Sequence, residues 1–316
     1  MYRSCLLAFS SAVAMFAAAP LQAQEYPVDT VTLVTHSSPG GGSDVFLREL
    51  SRYLGPILGA TVVVENVTGG SGATAMANLA QSPADGSRLY ATTPTFIYTS
   101  LLSNPEYSFD DLDPLVNFFI DPEVIFTAAS SPYETLEDVI QHARDGRGRW
   151  GAANPASLER QSLELLKAET GVNAAVVTHE GGGDLMINVL NGTLEIGVGE
   201  IQELKGQLEA GEIRLLASLT SDRIEAYPDV PTVQEAGYDV FVRKFRGLAG
   251  PQGLPDDVIA AWERAVPEVL ALQEYKAIYE ANSLRAEFMP NEEYQAFITE
   301  FATETEEFLR STGVIE

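Results

Sequence analysis

The chain has 316 residues, a length that suffices for two ordinary domains. Its 19 basic and 45 acidic residues give a formal net charge of −26 at pH 7, which argues against a nucleic-acid partner because a phosphate backbone requires a basic face. The acidic residues are dispersed and not collected in one block, a pattern that indicates a solvated surface.

The first 23 residues are predicted to be a secretory signal peptide. Arg3 supplies a positive charge, the apolar run at 6–19 is too short to cross a bilayer, and Leu21-Gln22-Ala23 offers a cleavage site. Cys5 is the single cysteine and would leave with this peptide, so neither a disulfide nor a cysteine-bound metal is expected. We therefore predict an exported protein, periplasmic in a host with two membranes, with cleavage near Ala23.

Beyond the leader, strands, turns and helices alternate, a pattern typical of an α/β fold with largely parallel sheets. In the first half, we predict strands at 31–35, 61–66 and 87–92, each followed by a helix, and a closing loop at 110–114. In the second half, we predict strands at 124–128, 150–153, 174–178, 194–198 and 213–219, with intervening helices. An irregular connection at 227–231, a strand at 240–247 and three terminal helices complete the chain.

The most informative segment is the glycine-rich turn between the first strand and the first helix, at 36–44. Glycines let the backbone approach a ligand, and the first amides of a helix lack intrahelical acceptors, so the turn is suited to an anion. A helix cap formed by Ser43 or Asp44 is the alternative. No lysine follows the glycines and the third glycine of the dinucleotide motif is missing, which argues against nucleotides. Similar turns at 69–72 and 181–183 favour a ligand cleft between two facing sheets.

The histidines and basic residues admit two interpretations each. His36 and His179 both follow strands and could donate hydrogen bonds to a carboxylate or simply pack in their loops; without a third ligand, they predict no metal site. The chain has no Gly-x-Ser-x-Gly elbow, so the serines near His36 give no support for nucleophilic catalysis. In the segment at 243–246, strand alternation places Lys244 and Arg246 on one face. Arg246 could clamp a carboxylate or neutralise protein acids.

Several short motifs, in this order and spacing, resemble the extracytoplasmic solute receptors of the tripartite tricarboxylate transporter family, of the TctC or Bug type. They are Ser-Pro-Gly-Gly-Gly-Ser-Asp at 38–44, Val-Val-Glu-Asn at 63–66, Gly-Gly-Ser-Gly at 69–72, Pro-Ala-Asp-Gly at 83–86, Gly-Gly-Gly-Asp at 181–184, Asp-Val-Pro-Thr at 229–232 and Phe-Arg-Gly at 245–247. The resemblance implies a two-lobed periplasmic-binding-protein fold, each lobe a mainly parallel sheet flanked by helices, joined by crossing strands. Lobe 1 would comprise 24–123 and 239–316, and lobe 2 would comprise 124–238.

The resemblance also implies which residues bind the ligand. From lobe 1 these are His36, Ser37, Ser38, Pro39, Gly40, Gly41, Gly42, Ser43, Asp44, Thr93, Thr95 and Phe96. From lobe 2 they are Asn154, Ala156, Ser157, His179, Gly182, Gly199 and Glu200, and Arg246 comes from the returning strand. His179 stands where relatives often carry tyrosine, so the second lobe is expected to set the identity of the ligand.

The function expected from this resemblance is capture of a small organic carboxylate, such as a tri- or dicarboxylate, and its delivery to the permease subunits of a tripartite transporter. We expect a monomer that uses no cofactor and no metal and catalyses no reaction. Two alternatives remain open at this stage. One is a secreted enzyme acting on an organic acid with His36 or His179 as base, and the other is a receptor that signals to a sensor kinase.

Overall fold

The computed structural model describes residues 26–146, 148–179, 181–311 and 313–316, so the signal peptide predicted at 1–23 lies outside the described residues. The strands are β1 Thr30–Thr35, β2 Thr61–Asn66, β3 Arg88–Thr92, β4 Leu112–Asp121, β5 Glu123–Ala128, β6 Arg149–Ala152, β7 Ala175–Thr178, β8 Ile196–Glu200, β9 Ile213–Ser218, β10 Lys244–Pro251 and β11 Arg285–Met289. The helices are α1 Gly42–Leu58, α2 Ala73–Ala80, α3 Pro94–Ser103, α4 Leu136–Arg144, α5 Leu158–Thr170, α6 Gly182–Leu190, α7 Ile201–Glu209, α8 Asp256–Ala271, α9 Gln273–Ala281 and α10 Asn291–Ser311. Short 3₁₀ helices lie at Gly70–Gly72 and Phe109–Asp111.

These strands form two sheets, as the α/β fold class predicts. The first has the order β11-β4-β10-β3-β1-β2, and the second has the order β7-β6-β8-β5-β9. Both sheets are mixed, so the expectation of mainly parallel pairing is corrected. In the first sheet, β10 runs antiparallel to both β3 and β4. In the second, β5 runs antiparallel to both β8 and β9. The parallel pairs are β1 with β2 and β3, and β6 with β7 and β8.

The chain passes between the sheets at Pro122, which separates the end of β4 from the start of β5. It returns through the irregular segment between β9 and β10, and Lys244 at the start of β10 lies opposite Asp121 at the end of β4. On the other side of the crossing, Glu123 at the start of β5 lies opposite Glu200 at the end of β8. Charged residues from both sheets therefore meet at the crossing.

Apolar packing fixes each sheet to its helices. The stripe of Phe46, Leu47, Leu50 and Leu54 on α1 is fully or almost fully buried in the core of the first sheet, as the helical spacing predicts. This core also contains Trp262 of α8, and the second sheet has a separate core around Trp150 of β6. Among the helices of the described ranges, none combines the length and apolar character needed to cross a membrane.

Three strand predictions need correction. The segment 110–114, predicted as a closing loop, is the end of a 3₁₀ turn that continues at once into β4. The strand predicted at 240–247 begins only at Lys244 and extends to Pro251. Strand β11 was not predicted, because its half-exposed residues at the sheet edge carry little alternation of apolar and polar side chains.

Candidate functional site

A cleft of about 810 Å³ lies between the two sheets. Its walls are the loops that follow β1, β2 and β3 of the first sheet and β6, β7 and β8 of the second, at or near the carboxyl ends of these strands. Among the predicted binding residues, those that line it are His36, Ser37, Ser38, Pro39, Gly40, Gly41, Gly42, Ser43, Thr93, Thr95, Asn154, His179, Gly182 and Glu200. The structure thus brings together loops that are distant in sequence.

The amides of the glycine-rich turn already have acceptors within the protein. Gly40 N–H donates to Asp44 Oδ2 at 2.9 Å, and Gly41 N–H donates to the Ser38 carbonyl at 3.0 Å. Gly42 N–H, in the first turn of α1, donates to Glu203 Oε1 at 2.5 Å. Glu203 lies on α7 of the second sheet. The side chain of Glu203 therefore accepts a hydrogen bond at the N-terminus of α1, and it comes from the opposite wall of the cleft.

Asp44 organises the turn from inside the protein. Its Oδ1 accepts hydrogen bonds from Arg48 at 2.9 Å and from Asn66 at 2.8 Å, in addition to the bond from Gly40 to Oδ2. Burial alone would raise the pKa of Asp44, but these donors outweigh it and lower the pKa. Asp44 is buried and does not line the cleft. It is not the helix cap considered as the alternative from the sequence, because it accepts from Gly40 before the helix and α1 has no side-chain cap.

The floor of the cleft is a buried cluster of charges at the crossing between the sheets. Lys244 Nζ lies 2.6 Å from Glu123 and 2.7 Å from Glu159, and it also bonds Glu200. Because an ammonium group has three protons, these three carboxylates account for its donors. The oxygens of Glu123, Glu159 and Glu200 lie within 4.8 Å of one another, an arrangement that could hold a metal ion. In this structure the ammonium group of Lys244 lies among the three carboxylates and supplies the positive charge that a metal ion would otherwise bring.

Arg246 occupies the adjoining part of this cluster and is 1% exposed. Its Nε donates to Asp121 Oδ2 at 2.5 Å, its Nη1 to Ser43 Oγ at 3.1 Å and its Nη2 to Glu200 Oε1 at 2.9 Å. The guanidinium thus links both sheets to the start of α1. These contacts follow the second interpretation of the sequence, in which Arg246 neutralises acids of the protein.

The pKa values in the cluster diverge because burial and charge act in opposite directions. Burial raises the pKa of Asp121 to about 6, and it raises the pKa of Glu123 well above its usual range. Burial and the nearby Glu200 raise the pKa of Glu203 in the same way. Burial would also raise the pKa of Glu200, but Lys244 and Arg246 outweigh it and hold that pKa well below its usual range. Glu203 therefore keeps its proton to a higher pH than Glu200 does.

The two cleft histidines differ in their surroundings. Tyr90 Oη lies 2.7 Å from Nδ1 of His36, and burial together with Lys244 lowers the pKa of His36 to about 4. His36 is therefore neutral near pH 7. Nε2 of His179 is buried and has no hydrogen-bond partner in the described part of the chain. Both rings line the cleft, in the loops that follow β1 and β7.

The comparisons with known proteins agree with this architecture. Residues 46–314 match the TctC model, which describes the tripartite tricarboxylate transporter family receptor. The chain belongs to this receptor family. The Bordetella pertussis (strain Tohama I) protein BugT is 30% identical over 271 residues, which cover 84% of this chain and 82% of BugT.

Two solved structures show the same fold. An R. palustris protein solved with adipate is 25% identical, with a TM-score of 0.86, and the match covers 92% of this chain and 99% of that chain. The periplasmic binding protein BugD is 22% identical, with a TM-score of 0.84 and the same coverage. The TctC-family chain therefore has the two-lobed periplasmic-binding-protein fold that the motifs predict.

Some residues predicted to bind ligand in this TctC-family chain lie behind the cleft lining, together with Asp44 and Arg246. Phe96 and Ala156 are buried in the apolar core. Ser157 caps α5, where its Oγ accepts a hydrogen bond from Arg160 N–H at 3.1 Å. Gly199 lies inside β8, close to Phe126. Their predicted contact with ligand stays a prediction.

Four ionisable residues of the lining are not among the predicted binding residues: Glu159, Asp184, Glu203 and Lys244. Lys244 could have been found, because alternation places it on the same face as Arg246 while Phe245 enters the apolar core, and the structure confirms this alternation. Glu159 and Glu203 carry no comparable signal in a chain with 45 acidic residues. The sequence of this chain thus shows the glycine-rich loops of the cleft more readily than its charged floor.

Proposed function

We propose that this chain is an extracytoplasmic solute-binding protein that captures a small organic carboxylate and delivers it to the membrane subunits of a tripartite tricarboxylate transporter. The observation that carries the proposal is the cleft between the two sheets, which is walled by glycine-rich loops at Gly40–Gly42 and 181–183. Membership of the receptor family supports the transport role. The R. palustris relative solved with adipate, at 25% identity, supports a carboxylate ligand.

We assign 24–123 and 239–316 to lobe 1 and 124–238 to lobe 2, a division that follows the two sheets except at Glu123, the first residue of β5 in the second sheet. The lobes touch across the cleft through the bond from Gly42 to Glu203 and through Gln202 Nε2, which donates to Asp121 Oδ2 at 3.2 Å. A ligand that contacts both lobes stabilises the closed arrangement relative to an open one. Capture therefore proceeds by closure about the crossing segments at Pro122 and before Lys244.

Within this proposal, the predicted residues that line the cleft contact the ligand. The carboxylate meets the hydroxyl and backbone groups of the loop from His36 to Ser43, with Thr93 and Thr95 beside them. Asn154, His179, Gly182 and Glu200 face it from lobe 2. Each favourable interaction with a helix N-terminus contributes about 0.3–1 kcal/mol, so several weak donors must act together.

The relatives are described as a receptor and as a periplasmic binding protein, which favours binding over turnover. We accordingly place the mature protein in the periplasm as a monomer, after cleavage near Ala23. If the chain were an enzyme instead, incubation with a bound acid would convert that acid, and mass spectrometry would detect the product. An interaction with a sensor kinase would appear as ligand-dependent co-purification with its extracytoplasmic domain.

A thermal-shift screen of organic acids tests the central proposal, because a ligand that binds only the native state raises the melting temperature. At a ligand concentration of about 100 Kd, the native state gains about 2.7 kcal/mol. We expect at least one small di- or tricarboxylate to produce a saturable shift that calorimetry confirms. Absence of any shift across mono-, di- and tricarboxylates at millimolar concentration would refute the proposal.

A further inference from the structure

The ionisable side chains that line the cleft are mostly acidic. Glu159, Glu200, Glu203 and Asp184 face it, and Lys244 is the one lysine or arginine among the lining residues that the structure describes. Asp121 and Glu123 stand directly behind the floor. A ligand with only negative groups would therefore approach a wall in which acids outnumber cations, and like charges at short range oppose binding.

The cations of the floor are already committed to protein acids. The three protons of Lys244 face Glu123, Glu159 and Glu200, and its side chain is 6% exposed. Arg246 is bonded to Asp121, Glu200 and Ser43 and is not part of the lining. To bind Lys244 or Arg246, a ligand carboxylate would have to displace one of the protein's own carboxylates. That carboxylate would then stay buried without a cation to compensate its charge.

The floor instead has hydrogen-bond acceptors in excess. Glu159 is 6% exposed and lines the cleft, and its Oε2 has no hydrogen-bond partner among the described residues. The oxygens Oε2 of Glu123 and Oδ1 of Asp121, behind it, also lack partners there. Buried acceptors without donors are costly, so a donor brought by a ligand would be stabilised at this position.

We propose that the ligand carries a protonated amine as well as its carboxylate, with the amine directed towards Glu159 at the floor and the carboxylate towards the glycine-rich loops. This inference rests on the proposed function, since it names the class of carboxylate that the same cleft receives. Opposite ends of the cleft thus recognise opposite charges. An amino acid or another aminated carboxylic acid satisfies both ends, whereas a simple dicarboxylate satisfies one.

Calorimetric titration of the wild-type protein with matched acids tests this inference. The pairs are aspartate with succinate, 2-aminoadipate with adipate, and 4-aminobutyrate with butyrate, which differ within each pair by the amino group. We expect at least one aminated acid to bind at least tenfold more tightly than its partner. Equal or tighter binding of the amine-free acid in every pair that binds would overturn the inference while the proposed function stands. No binding by any of the six acids would overturn the inference, whereas the proposed function is refuted only by the absence of a shift across the whole screen of organic acids.

Two variants on α5 locate the amine. Glu159→Gln removes the charge and keeps the shape of the side chain, and we expect the preference for the aminated acid to fall to threefold or less. Glu164→Gln is the matched control, because Glu164 pairs with Lys167 at 2.7 Å on the same helix and does not line the cleft. It should keep the full preference. An undiminished preference in Glu159→Gln, with an unchanged melting temperature, would overturn the placement of the amine at the floor.

Discussion

The buried ammonium of Lys244 makes a quantitative prediction about stability. In Lys244→Met, the carboxylates of Glu123, Glu159 and Glu200 lose their shared cation and remain within 4.8 Å of one another. At an effective dielectric constant of about 20, two unit charges at this distance repel by about 3.5 kcal/mol. Protonating one glutamate at pH 7 to relieve the repulsion costs about 3–4 kcal/mol. We therefore expect the free energy of unfolding of Lys244→Met to be about 3–5 kcal/mol lower than that of wild type, the usual effect of breaking a buried ion pair.

The pH dependence of this loss distinguishes electrostatics from altered packing. Without the ammonium, the pKa values of the three glutamates in the folded variant lie above those in the unfolded chain. The folded state then binds more protons, so its stability falls as pH rises and recovers as pH falls, by about 1.4 kcal/mol per pH unit for each proton. The difference in unfolding free energy between Lys244→Met and wild type should therefore shrink as the pH falls from 7 to 5.

Urea denaturation followed by circular dichroism at pH 5, 6, 7 and 8 measures both effects. Lys276→Met is the matched control, because Lys276 forms an exposed pair with Glu280 at 3.6 Å and such pairs contribute about 0–1 kcal/mol. A loss below about 1 kcal/mol for Lys244→Met at pH 7 would contradict the electrostatic argument. A loss that grows on acidification would contradict it as well.

Three further predictions concern the cleft. Gly42→Ala should weaken both closure and ligand affinity, because the added Cβ would lie 2.5 Å from Arg246 Nη2. Gly183→Ala is the control, because the position has open space, and it should bind the ligand as tightly as wild type in calorimetry. The imidazole of His36 should titrate near pH 4 in NMR. The protein should lose stability as pH falls from about 6.5 towards 4, because the unfolded chain then takes up the proton first. A titration midpoint near 6.5 would show that the imidazole is not desolvated. Glu203→Gln should gain stability relative to wild type as pH rises above about 4.5, since a carboxyl group whose pKa is raised on folding costs the wild type stability in that direction. Urea denaturation at several pH values measures this, and a variant that loses stability relative to wild type as pH rises would argue for an ionised Glu203.

Local periodicity predicted most of the fold because most strands and helices show their buried face directly in sequence. The stripe on α1 and the alternation around Phe245 are visible in sequence, and both are confirmed. The mixed pairing of the sheets could not be predicted in this way. It depends on where β10 inserts after the chain returns from the second sheet, and no local pattern records that choice. Strand β4 was hidden by the acidic turn that precedes it.

The charge cluster shows why the candidate site was only half predictable. The first amides of a helix lack intrahelical acceptors, which is why the sequence argument predicts an anion-accepting turn at Gly42. The group found there belongs to Glu203, which is 161 positions away in the chain, and no spacing rule connects the two. Likewise, Arg246 is a suitable partner for a carboxylate, and the carboxylates it meets are those of Asp121 and Glu200. In so acidic a chain, the protein's own acids occupy these positions first, so we expect a ligand to be selected by the acceptor that they leave unsatisfied at Glu159.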